Sequence, residues 1–138
     1  MRKKPKAVID TNIFISALLG SSNAGKILDK FTGGKFDLII SKEILDELIE
    51  VISRKKFSNI FRPEDIKKLI DLLETDAEII IPEGKVSSAC KDPKDYIVLA
   101  CAADGKADYI ITGDSDMLEI SPFRRIKIIT PSQFLKLI

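Results

Sequence analysis

Apolar residues in this chain fall into short unbroken runs separated by stretches of helical spacing. Residues 6–12, Lys-Ala-Val-Ile-Asp-Thr-Asn, hold the first run, and it ends in an acid. A run of that length without polar alternation predicts a strand buried on both faces, as in a parallel sheet. Residues 12–19 predict a helix, which Gly20-Ser21-Ser22-Asn23 interrupts. Ser22 or Asn23 can cap a short helix over 24–31, and Thr32-Gly33-Gly34 stops it. A second strand is predicted over 36–40. Ser41 then caps a helix ending near residue 53, with Ile44, Leu45, Leu48, Val51 and Ile52 in one apolar stripe.

Pro63 fits the first position of a helix over 63–75, with Glu64 and Asp65 near the positive end of its dipole. Residues 78–81 predict a third strand closed by Pro82, and 83–89 a loop. Asp92 is set to cap a helix that has Pro93 at its first position and Gly105 just past its end. Residues 96–103 carry almost no polar side chain, so that helix is expected to be buried on most sides. Residues 109–112 and 127–129 complete five strands, and Thr130-Pro131 opens a terminal helix. Strands alternate with helices, with no repeat and no internal linker. The expectation is a single α/β domain over 1–138: a three-layer sandwich whose central, mainly parallel five-stranded sheet is flanked by helices.

Composition narrows the chemistry. With 138 residues the chain can bury one core without disulfides. Its 22 basic and 21 acidic residues leave a formal charge of +1, so only local clustering could argue for a nucleic-acid partner. There is no histidine. That excludes Ser-His-Asp and Cys-His hydrolysis, imidazole acid–base catalysis and the usual histidine-bearing zinc sites. Cys90 and Cys101 read as unpaired buried hydrophobes rather than a disulfide. The basic start, Arg2, Lys3, Lys4 and Lys6, precedes an apolar run too short for a signal peptide. No run of ~18 apolar residues exists, so a cytoplasmic protein without a membrane span is expected.

The acids are the remaining chemical clue, because ligands of open α/β sheets bind in the crevice at the carboxyl ends of the strands. Asp10 ends the first strand, as a metal ligand or as a helix cap. Asp95 lies three residues after Asp92 on the same helical face, an arrangement that also suits a capping box. Asp114 and Asp116 follow a strand across Thr112-Gly113, where an ordinary turn would also place Asp. The helix after Ser41 carries Glu43, Asp46, Glu47 and Glu50. At about 100° per residue, Glu47 lies only about 40° from Val51 at the edge of the apolar stripe, while the other three point toward solvent. Mg²⁺ and Mn²⁺ prefer oxygen ligands, and two such ions held by three or four acids can activate a water for phosphodiester cleavage.

Four fragments carry a resemblance: Val-Ile-Asp-Thr-Asn at 8–12, Ser-Lys-Glu-Ile-Leu-Asp-Glu-Leu at 41–48, Asp-Pro-Lys-Asp at 92–95 and Ile-Thr-Gly-Asp-Ser-Asp at 111–116. In that order they resemble the PIN-domain family over nearly the whole chain, and most of all its VapC-type toxins. The resemblance implies a PIN-like fold and a Mg²⁺- or Mn²⁺-dependent endoribonuclease, the toxin of a toxin–antitoxin pair. It makes Asp10, Glu47, Asp95 and Asp114 the acidic quartet, with Asn12 and Thr112 as polar support and Asp116 as a fifth acid. Whether Asp114 or Asp116 stands closer to the metal is left open. The implied partners are an RNA substrate, an antitoxin protein and a second copy of the chain.

Basic residues bear on the substrate. Arg54, Lys55, Lys56 and Arg62 lie beyond the Glu47 helix, interleaved with Phe57 and Phe61, and Arg124, Arg125 and Lys127 form another group. Beside a metal site they would hold an RNA backbone; elsewhere they are solvated surface. Phe57 and Phe61 are open to three readings: core, dimer contact or antitoxin groove. Two rival functions remain. A haloacid-dehalogenase-like phosphatase needs Asp-x-Asp-x-Thr, whereas Asp10-Thr11-Asn12-Ile13-Phe14 lacks the second acid. A catalytically silent PIN-like interaction module would keep the fold and use the acids as caps.

Overall fold

The predicted apolar runs become five short strands. The computed structural model describes residues 4–83 and 93–138. In chain order the elements are β1 (Lys6–Ile9), α1 (Thr11–Leu18), α2 (Ser22–Thr32), β2 (Asp37–Ser41), α3 (Lys42–Ile52), a 3-10 turn (Lys55–Phe57) and α4 (Pro63–Asp76). They continue with β3 (Glu78–Ile80), α5 (Pro93–Asp104), β4 (Tyr109–Ile111), α6 (Ser115–Glu119), β5 (Lys127–Ile129) and α7 (Pro131–Leu135). The strands lie side by side as β3-β2-β1-β4-β5, and every pairing is parallel. Val8 of β1 stands opposite Ile39 of β2 on one side and Ile110 of β4 on the other. All three are fully buried, which is why this strand tolerates no polar alternation.

The chain leaves β1 for β2 and β3 on one side and returns to β4 and β5 on the other. The strand order therefore reverses between β1 and β4, and a crevice opens there at the carboxyl ends of the strands. Helix α5 packs across β1, β2 and β4, and α3 packs against β2 and α5. Ser41 caps α3 by accepting the Ile44 N–H at 3.1 Å, and Ile44, Leu45, Leu48 and Ile52 of the predicted stripe are buried. Thr130 and Gln133 close a capping box at the start of α7. Burial pushes the Cys101 thiol up to about 12, against the pull of its hydrogen bond to Ser41, and it is unpaired. Cys90 and the expected Asp92 cap lie outside the described residues.

Two elements escape the sequence pattern. The Lys55–Phe57 turn lies in a stretch read as plain connection. Helix α6 follows Asp114, in a stretch read as a turn; its five residues bury only Met117, too few to show a period. The sheet is also wholly parallel rather than mainly so. Among the described residues no helix is long and apolar enough to cross a membrane.

Gly105 marks a close approach of α5 to the sheet. Its N–H bonds to the Cys101 carbonyl at 2.8 Å. A Cβ at this position would stand 2.7 Å from Ile39 Cγ2 and 2.9 Å from the Cys101 carbonyl oxygen. Gly105→Ala should therefore destabilise the fold by about 1–3 kcal/mol, as overpacking does. Gly25, inside α2, has open space where a Cβ would go. Gly25→Ala should stabilise by about 0.5–1 kcal/mol through the backbone entropy of the unfolded chain. Urea midpoints of the two variants that move in the same direction would contradict this account of the α5–β2 contact.

Candidate active site

Backbone hydrogen bonds extend the sheet one residue past β1 and β4. The Asp10 N–H donates to the Ile111 carbonyl at 3.0 Å, and the Thr112 N–H to the Ile129 carbonyl at 3.0 Å. This holds the Asp10 and Thr112 side chains together at the point where the strand order reverses. The Thr112 hydroxyl, fully buried, donates to Asp10 Oδ2 at 2.8 Å and accepts the Asp114 N–H at 3.1 Å. Asp10 Oδ1 takes the Asn12 N–H at 3.4 Å and so caps α1. Asp114 caps α6 by accepting the Asp116 N–H at 3.0 Å. Each acid is thus a cap and a wall of the crevice at once.

Glu47 arrives from α3. Its side chain is 20% exposed, accepts the buried Thr11 hydroxyl at 3.2 Å, and lies 3.9 Å from the Lys94 ammonium at the start of α5. Asp10, Glu47, Asp95 and Asp114 line one cavity of about 260 Å³ together with Asn12 and Thr11. Its remaining wall includes Arg54, Lys56, Phe57 and Lys94. Among the described residues the crevice therefore has four carboxylates and three cationic side chains. Glu43, Asp46 and Glu50 of α3 are exposed and do not line the cavity.

Electrostatics single out Asp10. Burial raises its carboxyl above the usual value. The Thr112 bond and the Asn12 N–H pull the other way without cancelling that rise, and the nearby Asp114 charge adds to it. At the cavity edge Arg54 forks onto Glu50 at 3.0 and 3.1 Å; this holds the exposed Glu50 carboxyl below its ordinary range and the guanidinium above its own. The donor set is wholly oxygen, as Mg²⁺ or Mn²⁺ requires. Among the described residues, however, no group of three carboxylates or cysteines is gathered closely enough to hold an ion as it stands.

Other expected site residues stand apart from the cavity. Thr112 is buried beneath Asp10 rather than lining the crevice. Asp116 is exposed on α6, and Asp114, not Asp116, lines the cavity. Lys55 is exposed and Arg62 pairs with Asp65 at 3.2 Å, both outside the lining. Arg125 lines a separate recess with Lys4, Asp108 and Lys127, at the amino ends of β1, β4 and β5. Arg124 sits over the Phe123 ring at 5.2 Å. Of the basic residues singled out in the sequence, Arg54 and Lys56 alone reach the crevice. Lys94 and Thr11 were missed, although each directly precedes or follows a singled-out acid, Asp95 and Asp10.

A family model, the PIN domain, matches residues 6–116, a span that includes all four cavity acids. The chain belongs to the PIN-domain family. An uncharacterized protein of Methanocaldococcus jannaschii is 32% identical over 143 aligned positions, which cover 96% of this chain and 91% of that protein. Among solved structures, a chain of VapBC2 from Rickettsia felis, bound to a DNA fragment from its promoter, superposes with a TM-score of 0.63 and 17% identity. A chain of FitAcB from Neisseria gonorrhoeae does so at 0.59 and 15%. Each match covers 91% of this chain and 98% of the other. At such identities the likeness is one of fold. PIN domains are typically nucleases and generally use divalent metal ions.

The desolvated Asp10 carboxylate sets a pH dependence. The folded form holds its proton more tightly than the unfolded chain, so stability due to this group is complete below about pH 3.9 and is lost as pH rises through the raised folded value. In chelator, the stability of Asp10→Asn relative to wild type should therefore increase from below about pH 4 to neutrality. Denaturant unfolding at several pH values measures it. A relative stability that falls over that interval would show that the charge is well solvated.

Proposed function

We propose that this protein is a metal-dependent endoribonuclease acting in the cytoplasm as the toxin of a toxin–antitoxin pair. The observation that carries the reading is the cavity in which Asp10, Glu47, Asp95 and Asp114 face Arg54, Lys56 and Lys94. A phosphodiester is an anion and would be repelled by four bare carboxylates, so this lining suits a substrate that enters with divalent cations. Asp10 and Asp95 would hold the ion directly, and Glu47 and Asp114 would complete the set or orient water. The oxygen donors suit Mg²⁺ or Mn²⁺. Such an ion supplies positive charge at the phosphate and lowers the pKa of a water.

The chain's own residues do the positioning. Thr112 and Thr11 orient Asp10 and Glu47 through hydroxyl hydrogen bonds. Asn12 presents a neutral amide to the cavity, and Arg54 and Lys56 are placed to take backbone phosphates. With no histidine in the chain, proton transfer falls to carboxylates and water. The toxin role is supported by the family and by the fold shared with the VapBC2 and FitAcB chains. In this reading an antitoxin protein and a second copy of the chain are the partners.

One observation favours a second reading, a silent interaction module: Asp10 and Asp114 both serve as helix caps, and no three carboxylates close on one point among the described residues. Cleavage of single-stranded RNA separates the two. Wild type should cut RNA with Mg²⁺ or Mn²⁺ and not with chelator. Asp10→Asn should reduce cutting to background, and Asp46→Asn should leave it unchanged, because Asp46 is exposed, lies outside the cavity lining and pairs with the exposed Lys42 at 3.0 Å. Metal at about 100 times its dissociation constant should add about 2.7 kcal/mol to wild-type stability. An unmoved melting midpoint with uncut RNA would favour the interaction module.

A further inference from the structure

The two aromatic residues beyond α3 have different places. Phe61 is 6% exposed and belongs to the core. Phe57 is half-buried and forms part of the cavity wall beside the four carboxylates. The two rings stack, with centroids 4.9 Å apart and planes 21° from parallel, so Phe61 backs Phe57 from the core side. The Lys56 ammonium lies over the Phe57 ring, 5.0 Å from its centre. Backbone bonds brace the segment: Phe57 N–H to the Arg54 carbonyl at 2.9 Å, and Phe61 N–H to the Phe57 carbonyl at 3.2 Å. An apolar ring contributes nothing to holding an ion. A rigid ring flanked by two cations suits an anionic chain that carries flat groups.

We propose that Phe57 is a stacking platform for an unpaired base of single-stranded RNA in this cleft. The base lies against the Phe57 ring and takes the place of the Lys56 ammonium, which turns to a neighbouring phosphate. A cation over a water-accessible ring is held weakly, so this exchange is favourable once a phosphate is near. Every base has a π-face, so the platform accepts any base. In a duplex those faces are already stacked, so it selects single strands. The inference deepens the ribonuclease reading and rests on it for the identity of the strand as RNA.

The chain has no tryptophan, so Phe57→Trp introduces a single indole at the platform. Binding is measured on the protein with native Asp10, with Ca²⁺ in place of Mg²⁺ to occupy the carboxylates, and the strand is checked to be intact after each titration. The probe is a short single-stranded RNA, compared with the same strand annealed to its complement. The single strand should quench the indole and the duplex should not. By anisotropy, Phe57→Leu, which keeps bulk but has no π-face, should bind the single strand about 5- to 100-fold more weakly, and Phe57→Tyr should restore binding. Leu binding as tightly as Phe, a bound strand that leaves the indole unquenched, equal quenching by duplex, or no RNA binding at all would each overturn the platform. The nuclease reading is scored separately on the protein with native Asp10 and Phe57. Quenching without cleavage there keeps the platform and removes the nuclease, whereas cleavage with an unquenched indole does the reverse.

Discussion

The hydrogen bond from Thr112 to Asp10 joins the ends of β1 and β4, the two neighbouring strands between which the strand order reverses. Around it the site is assembled. Because Thr112 also accepts the Asp114 N–H, one buried hydroxyl sets the positions of both strand-end acids. The arrangement has a cost, since the Thr112 hydroxyl and the Asn12 and Thr11 N–H groups offset the desolvation of the Asp10 carboxylate only in part. A fold optimised for stability alone would place an uncharged cap at this point. A raised carboxyl pKa on the wall of a cavity is a feature that functional sites commonly share.

Charge in the crevice is layered by element. The strand ends contribute Asp10 and Asp114, helices α3 and α5 contribute Glu47 and Asp95, and the segment after α3 contributes Arg54 and Lys56. Each cation is restrained by a neighbour: Arg54 by Glu50, Lys94 by Glu47, Lys56 by the Phe57 ring. Exposed contacts of this kind add little stability. Their consequence is positional, because they keep positive charge at the rim of an acidic cavity without filling it. The basic group at 124–127 lies at the other end of the strands, around Arg125 and Lys127, and does not share in this field.

Much of the architecture was legible in the sequence because apolar runs and caps are local signals. Strand β1, the stripe of α3, Pro63 at the start of α4 and the Thr130 cap of α7 are each set by residues within one or two turns of one another. Even the place of Glu47 at the edge of the buried stripe follows from the geometry of a single helix. Helix α6 was not legible, since five residues with one buried side chain carry no period.

What the sequence by itself determined, then, is the order of strands and helices, their buried faces, and which acids end or flank them. Only the tertiary structure decided the order of strands across the sheet, which puts β1 beside β4 and so Asp10 beside Asp114. It also decided that Arg54 and Lys56 reach the crevice while Arg125 does not, and that Phe57 lines it while Phe61 is core. The physical reason is separation along the chain. Thr112 and Asp10 are 102 residues apart, and Thr11 and Glu47 are 36 apart, so no local period or cap can encode their contact. Parallel pairing through crossovers brings them together, and it exists only once the whole sheet has formed.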